Sequence, residues 1–181
     1  MSLRESLIEI IQKAEALKLP YLLVGGHAVI VYGVSRFTRD FDLLIPETKV
    51  EAWTHLLTTH FHYKLFQSTH AFLRFESSQP DYPATDFVVV DLSTWEKLDA
   101  KTESRPLTAS INVRLPRPSH LIAMKLTALS APHRRKDNQD WSDIINLIRE
   151  QKLSLEDSEL RSIVLRYGNE ETLKKLQKDL S

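Results

Sequence analysis

The chain has no cysteine among its 181 residues. Without thiols it forms neither disulfides nor thiolate metal sites, so a reducing compartment suits it and any bound metal needs oxygen or nitrogen ligands. Its 24 basic and 24 acidic side chains give a formal net charge of zero. A general basic field for holding a long nucleic acid is therefore excluded, and an RNA or DNA partner would have to bind a local patch.

Long apolar runs are also missing. No stretch approaches the roughly 18 apolar residues of a membrane-spanning helix, and the N-terminus lacks the apolar centre of a signal peptide. We therefore expect a cytoplasmic protein with no membrane contact. The length predicts one main domain with a buried core and room for a small helical addition.

Glycine is scarce, and three of the four glycines lie between Gly25 and Gly33. The pair Gly25 and Gly26 ends an apolar, strand-like run and begins a short helical segment that stops at Gly33. Glycine lets the backbone approach a phosphate closely, and the amides at a helix start attract anions. The pattern favours a phosphate-binding turn, while a plain tight turn is the other interpretation.

Two aspartates, Asp40 and Asp42, follow within an apolar run on either side of Phe41. Since side chains in a strand alternate between faces, both carboxylates project on one side while Phe41 faces the core. Carboxylates held so close repel each other unless a cation lies between them, and Mg²⁺ with its preference for oxygen ligands and phosphates suits that position. With the glycine pair, this predicts a nucleotide and metal site rather than a solvated acidic pair.

Helical and strand patterns are mixed up to about residue 116, beginning with an amphipathic helix before Pro20, and only helical patterns follow. Apolar runs, alternating or continuous, predict strands at residues 63–67, 71–76, 86–91 and 111–115. After Pro118 the pattern is helical throughout. We predict an α/β core over residues 1–116 that carries the acidic pair, and a helical region over residues 117–181 that closes a cleft over it.

The glycine pair at a strand end, the short helix and Asp40-x-Asp42 resemble the signature of the DNA polymerase beta-like nucleotidyltransferases. With Gly33, Arg36 and Thr38 leading into the acidic pair, the string is most similar to the small bacterial branch that includes AbiEii-type toxins and uncharacterised relatives. The similarity extends over about residues 20–150 and includes Arg135-Lys136-Asp137-x-x-Asp140 in the later helices.

This resemblance implies an α/β (α+β) fold of the polymerase beta-like type, with a mixed β-sheet, flanking helices and a C-terminal helical part. It also implies metal-dependent transfer of a nucleoside monophosphate from an NTP to an acceptor. The acceptor stays open between an RNA, a protein hydroxyl and a small molecule. A cognate toxin or antitoxin is a further expected partner.

The resemblance makes Asp40 and Asp42 catalytic residues and metal ligands, with Mg²⁺ (or Mn²⁺) as cofactor. A two-metal phosphoryl-transfer site also needs a third carboxylate on a neighbouring strand. Asp86 and Asp91 are the candidates, and because they face opposite sides of one strand at most one of them can join the site. The resemblance favours Asp86 as the third catalytic residue and metal ligand.

The expected nucleotide-binding residues are Gly25, Gly26, His27, Arg36, Thr38 and Lys125. Lys125 lies on the apolar face of its predicted helix, where lysine is costly unless its ammonium reaches a partner. The triphosphate is one such partner, and water reached by a long side chain is the alternative. The basic cluster at residues 133–136 is a further candidate for phosphate or RNA contact, or else a solvated loop.

Two other functions compete with this interpretation. One is a catalytically silent nucleotide-binding or partner-binding protein, as one member of a toxin–antitoxin type pair. The intact Asp40-x-Asp42 argues against it, because a protein freed from catalysis has no reason to keep repelling charges together. The other is a phosphohydrolase with the same metals, which would differ in its products.

Overall fold

The computed structural model of the chain describes residues 3–131 and 138–181. The helices are α1 (Leu3–Ala16), α2 (Gly25–Val31), α3 (Val50–His55), α4 (Leu92–Asp99), α5 (Pro118–Ser130), α6 (Asn138–Glu150), α7 (Ser158–Tyr167) and α8 (Glu170–Leu180). The strands are β1 (Leu22–Leu23), β2 (Phe41–Pro46), β3 (Lys64–Ser68), β4 (Phe72–Glu76), β5 (Thr85–Val90), β6 (Glu103–Pro106) and β7 (Asn112–Leu115).

Five strands form one mixed sheet in the order β1-β2-β5-β4-β3. The central pair, β2 and β5, is parallel, and the other pairs are antiparallel. The predicted hairpin is present as β3 and β4, and the predicted mixed sheet with flanking helices is confirmed. A separate two-stranded sheet joins β7 to β6, a strand that the sequence pattern did not predict.

The core of the five-stranded sheet is aromatic. Phe87 on β5 is fully buried, with its ring 5.2 Å from that of Trp53 and 5.6 Å from that of Phe75. The indole Nε1 of Trp53 donates to the carbonyl of Pro20 at 3.1 Å, so this large side chain is buried without losing its hydrogen bond. This packing supports β2 and β5, the two strands that carry the candidate site.

The contacts within the chain divide it into two compact units. One comprises Met1–Ala28 and Arg36–Leu115 and contains both sheets, and the other comprises Val29–Ser35 and Pro116–Ser181. The predicted catalytic and cleft-closing roles of residues 1–116 and 117–181 stay predictions.

The second unit is a helical assembly in which α5 packs against α6 and α7. Its buried core consists of aliphatic side chains that recur at helical spacing, among them Ile122, Ile144 and Val164. Tyr32, in the segment Val29–Ser35, is bonded to the rest of this unit, because its hydroxyl donates to the carbonyl of Pro116 at 2.7 Å. None of the helices in the described ranges is long and apolar enough to cross a membrane.

Candidate active site

Three charged residues line up across neighbouring strands of the main sheet. Asp42 of β2 is the register partner of Asp86 on β5, and Asp86 is in turn the partner of Arg74 on β4. Side chains of register partners lie on the same face of a sheet, about 5 Å apart. The row therefore places two carboxylates and one guanidinium side by side.

Asp40 adds a third carboxylate to this face. It lies two residues before Asp42, immediately ahead of β2, and its side chain is partly exposed. Its Oδ2 atom is 3.8 Å from Nη1 of Arg74. The structure thus brings the three aspartates predicted from the sequence to one region of the first unit, together with an arginine that the sequence analysis did not single out.

Asp86 is the most enclosed of the three aspartates that the sequence predicts. The residue is only 8% exposed, and Nη1 of Arg74 donates to its Oδ2 at 3.0 Å and to its Oδ1 at 3.3 Å. Burial raises the pKa of Asp86 from 3.8 to about 6; Arg74 opposes the shift, and the charges of Asp42 and Asp40 add to it. A carboxyl with this pKa can exchange a proton near neutral pH.

The glycine pair makes room for the side chains of this site. Gly25 has a positive φ of 60°, and a Cβ atom there would overlap the carboxylate of Asp42. A Cβ atom at Gly26 would lie 2.5 Å from Oγ1 of Thr38 and 3.1 Å from Cζ of Arg36. The start of α2 therefore touches Asp42, Thr38 and Arg36 directly, and the role of the glycines in binding phosphate stays a prediction.

His27, the next predicted nucleotide-binding residue, packs its ring edge-on against Phe41 at 5.2 Å. Arg36 is partly exposed, and its Nε donates to the carbonyl of Phe37 at 3.2 Å. The structure therefore places His27, Arg36 and Thr38 in the same unit as the aspartates. Their contacts with a nucleotide stay predictions.

Lys125 lies on α5 in the second unit. Its ammonium donates to Oδ1 of Asp140 at 2.9 Å and to Oδ2 of Asp143 at 2.6 Å, both on α6. All three residues are buried, and Gln139 also donates to Asp143 at 3.0 Å. The lysine thus has partners that neither sequence interpretation included, and its contact with a triphosphate stays a prediction. The sequence signal that could have indicated these partners is the spacing of Asp140 and Asp143, which places both on one face of a helix.

Asp91, the rival third carboxylate, has a structural position. Its Oδ1 accepts from the backbone N–H of Thr94 at 2.9 Å and its Oδ2 from the hydroxyl of Thr94 at 2.8 Å, so it caps the start of α4. The backbone hydrogen bond from Thr94 lowers the pKa of this exposed carboxyl. The basic cluster at residues 133–136, together with Asp137, lies outside the described residues.

Oxygen donors are the right kind of ligand for Mg²⁺, which one or two carboxylates plus substrate phosphates commonly hold. Asp40 and Asp42 meet that requirement for one ion. Within residues 3–131 and 138–181, however, no group of three or more histidine and acidic side chains is arranged to hold a metal ion. Asp86 is bonded to Arg74 in this structure, so the fit to an ion rests on Asp40 and Asp42, whose oxygen atoms are the right kind of ligand.

A mixed sheet that presents an aspartate pair beside a glycine turn defines this chain as nucleotidyltransferase-like. Residues 10–180 match the sequence model of the family described as nucleotidyl transferase AbiEii toxin, type IV TA system, and the chain belongs to this family. A search of curated protein sequences finds no significant match.

Solved structures of low sequence identity share the fold. The antibiotic-resistance factor ANT(2'')-Ia superposes with a TM-score of 0.71 at 13% identity, over 98% of this chain and 97% of the other. An antigenic nucleotidyltransferase-like protein from Paracoccidioides brasiliensis gives 0.59 at 19% identity, over 98% and 92%. The lincosamide adenylyltransferase LnuA gives 0.56 at 15% identity, over 83% and 97%. The predicted polymerase beta-like nucleotidyltransferase fold is confirmed.

Replacing Gly25 by alanine should disturb Asp42 as well as the backbone. Gly33→Ala is the matched control, because Gly33 also has a positive φ (97°) while its added Cβ would meet only Oε2 of Glu150, at 3.8 Å. We expect the control to cost about 1–2 kcal/mol of unfolding free energy from backbone strain alone. Gly25→Ala should lower the unfolding free energy clearly more than this control, as measured by denaturant titration. Equal losses in the two variants would show that the overlap with Asp42 does not affect stability.

Asp86 should give the metal-free protein a recognisable pH dependence. Its carboxyl has a pKa of 3.8 in the reference state and about 6 when folded, so its contribution to stability is complete below about pH 4 and is lost as the pH rises through about 6. In EDTA, the unfolding free energy of wild type should therefore fall relative to that of Asp86→Asn as the pH rises from 4 to 7. A difference that stays constant over this range would contradict the raised pKa.

Lys125→Met should destabilise the protein because it removes the ammonium group that bonds the buried carboxylates of Asp140 and Asp143. Removing one partner of a buried ion pair typically costs about 3–5 kcal/mol. Lys174→Met on the exposed face of α8 is the control and should stay within about 0.5 kcal/mol of wild type. Unchanged thermal stability with weakened NTP binding in calorimetry would instead support the triphosphate contact.

Proposed function

We propose that the chain is a metal-dependent nucleotidyltransferase, which moves a nucleoside monophosphate from an NTP to an acceptor hydroxyl. The observation that supports this most is the pairing of Asp42 with Asp86 in adjacent parallel strands, with Asp40 beside them. Carboxylates gathered in this way on rigid backbone suit an in-line phosphoryl transfer, where catalysis comes from positioning and charge neutralisation. A purely structural role offers no reason for collecting three of them.

In the proposed reaction the acceptor oxygen attacks the α-phosphorus, the bond to the β-phosphate breaks, and pyrophosphate leaves. Asp40 and Asp42 would hold Mg²⁺, which when bound supplies positive charge against the phosphate oxygens. Asp86 would complete the metal site beside the acceptor hydroxyl, and its carboxylate would take the proton that this hydroxyl loses. Arg36 and Thr38, beside Gly26, would contact the phosphates.

The acceptor we propose is a hydroxyl on RNA, on a protein or on a small molecule. The similar folds include enzymes described as an antibiotic-resistance factor and a lincosamide adenylyltransferase, whose acceptors by those names are drugs. The family description names a toxin of a toxin–antitoxin system, which supports a cognate antitoxin as partner. With a net charge of zero, a nucleic-acid acceptor would rely on a local basic patch.

The function is tested by incubating the purified protein with each α-labelled NTP, Mg²⁺ or Mn²⁺ and a cell extract. Label transferred to RNA, protein or a small molecule names the acceptor. Released label without an acceptor adduct would identify a phosphohydrolase. Protein that binds NTP without any turnover would identify the catalytically silent alternative.

Asp42→Asn should lower the transfer rate by about a thousandfold or more, since it removes a metal-binding charge worth several kcal/mol in the transition state without changing side-chain size. Asp40→Asn should behave in the same way. Asp91→Asn is the control, because asparagine also caps helices well and this carboxylate belongs to α4. Single-turnover assays check this, and near-normal transfer by either Asp40→Asn or Asp42→Asn rejects the metal assignment.

A further inference from the structure

Arg74 brings a positive charge to the acidic face. The register of β4 against β5 sets it opposite Asp86, in the same row as Asp42. Its side chain is 29% exposed, so it is held within the structure with only part of its surface in water. Neither the glycine turn nor the Asp40-x-Asp42 motif points to this residue, because it comes from a different part of the chain.

Arg74 bonds the carboxylate of Asp86, which would be a ligand in the proposed metal site. Nη1 bonds both oxygen atoms of Asp86, at 3.0 and 3.3 Å, and lies 3.8 Å from Oδ2 of Asp40. Nε is 3.4 Å from Oε1 of Glu76, which anchors the other edge of the guanidinium. Charge-assisted hydrogen bonds of this kind are stronger than neutral ones and fix the geometry of both partners.

The charges explain why such a contact forms. Strand register brings Asp42 beside Asp86, Asp40 lies next to them, and a buried carboxylate such as Asp86 is strongly unfavourable without a counter-charge. A guanidinium supplies one positive charge, whereas a divalent ion supplies two and takes the same oxygen atoms as ligands. The two cations are alternatives at Asp86, and each repels the other.

We propose that Arg74 is an internal counter-ion that occupies the place of a metal at Asp86 and gives up that carboxylate when a divalent ion binds. Arg74 thereby stabilises the metal-free protein and weakens its affinity for metal. This inference rests on the proposed metal-dependent function of the same site. It makes Arg74 a positioning residue that sets how much free metal the protein needs.

The two effects of removing Arg74 have opposite signs, which separates this role from ordinary structural support. Arg74→Gln should lower the melting temperature in EDTA, because Asp86 loses its cation. It should also bind Mn²⁺ about tenfold more tightly or better, because the repulsion and the competition for the carboxylate are gone. The rise in melting temperature at saturating Mn²⁺ should accordingly be larger than in wild type.

The matched control is Arg105→Gln. Arg105 is also an arginine on a strand of the first unit, paired with Glu103 at 2.9 Å and similarly exposed, but it belongs to the two-stranded sheet. It should leave the affinity for Mn²⁺ unchanged. Arg74→Lys, which keeps the charge but not the forked contact, should fall between wild type and Arg74→Gln and provides a second variant if the glutamine protein folds poorly.

Mn²⁺ titration by calorimetry on wild type, Arg74→Gln and Asp42→Asn tests the role of Arg74 separately from the proposed metal-dependent function. Tighter binding by Arg74→Gln, including binding that appears only in that variant, supports the inference. Binding that depends on Asp42 but is equal or weaker in Arg74→Gln overturns the inference and leaves the proposed function standing. Binding by none of the three proteins, or binding that ignores Asp42, overturns both.

Discussion

Repulsion among carboxylates held in strand register is the constraint on which the acidic face of this protein depends. The parallel pairing of β2 with β5 sets Asp42 beside Asp86, and Asp40 follows from its place two residues before Asp42. A slip of one residue would turn these side chains to the other face, and the buried aromatic core around Phe87 prevents such a slip. The charges cannot move apart, so the protein must supply a counter-charge or bind one.

The glycine turn is part of the same arrangement. Because Gly25 and Gly26 have no Cβ, the carboxylate of Asp42 and the side chain of Thr38 can lie directly against the start of α2. The glycines therefore have a packing role in the folded chain, which is separate from any contact with phosphate. A motif that suggests ligand binding from its sequence can also have a packing reason, and in this protein the packing reason is that Asp42 and Thr38 lie against the start of α2.

Buried charge is handled differently in the second unit. There Lys125 bonds two carboxylates of one neighbouring helix, and all three side chains are enclosed. At the acidic face of the first unit, by contrast, Arg74 bonds Asp86, lies 3.8 Å from Asp40 and remains partly exposed. The first group is buried, whereas Asp40 and Arg74 in the second are partly open to solvent, from which an ion can enter. That contrast supports the proposal that a metal binds at Asp40, Asp42 and Asp86 and not at Lys125.

Local pattern was enough to predict much of this protein. Alternation placed Asp40 and Asp42 on one face, scarce glycines marked the turn, and apolar runs located β3, β4, β5 and most of the helices. The short strand β6 was missed, because its sequence Glu-Ser-Arg-Pro has no apolar alternation to detect. Arg74 and the partners of Lys125 were missed for another reason. Which charges meet depends on strand register and helix packing between distant segments, and only the tertiary structure decides that.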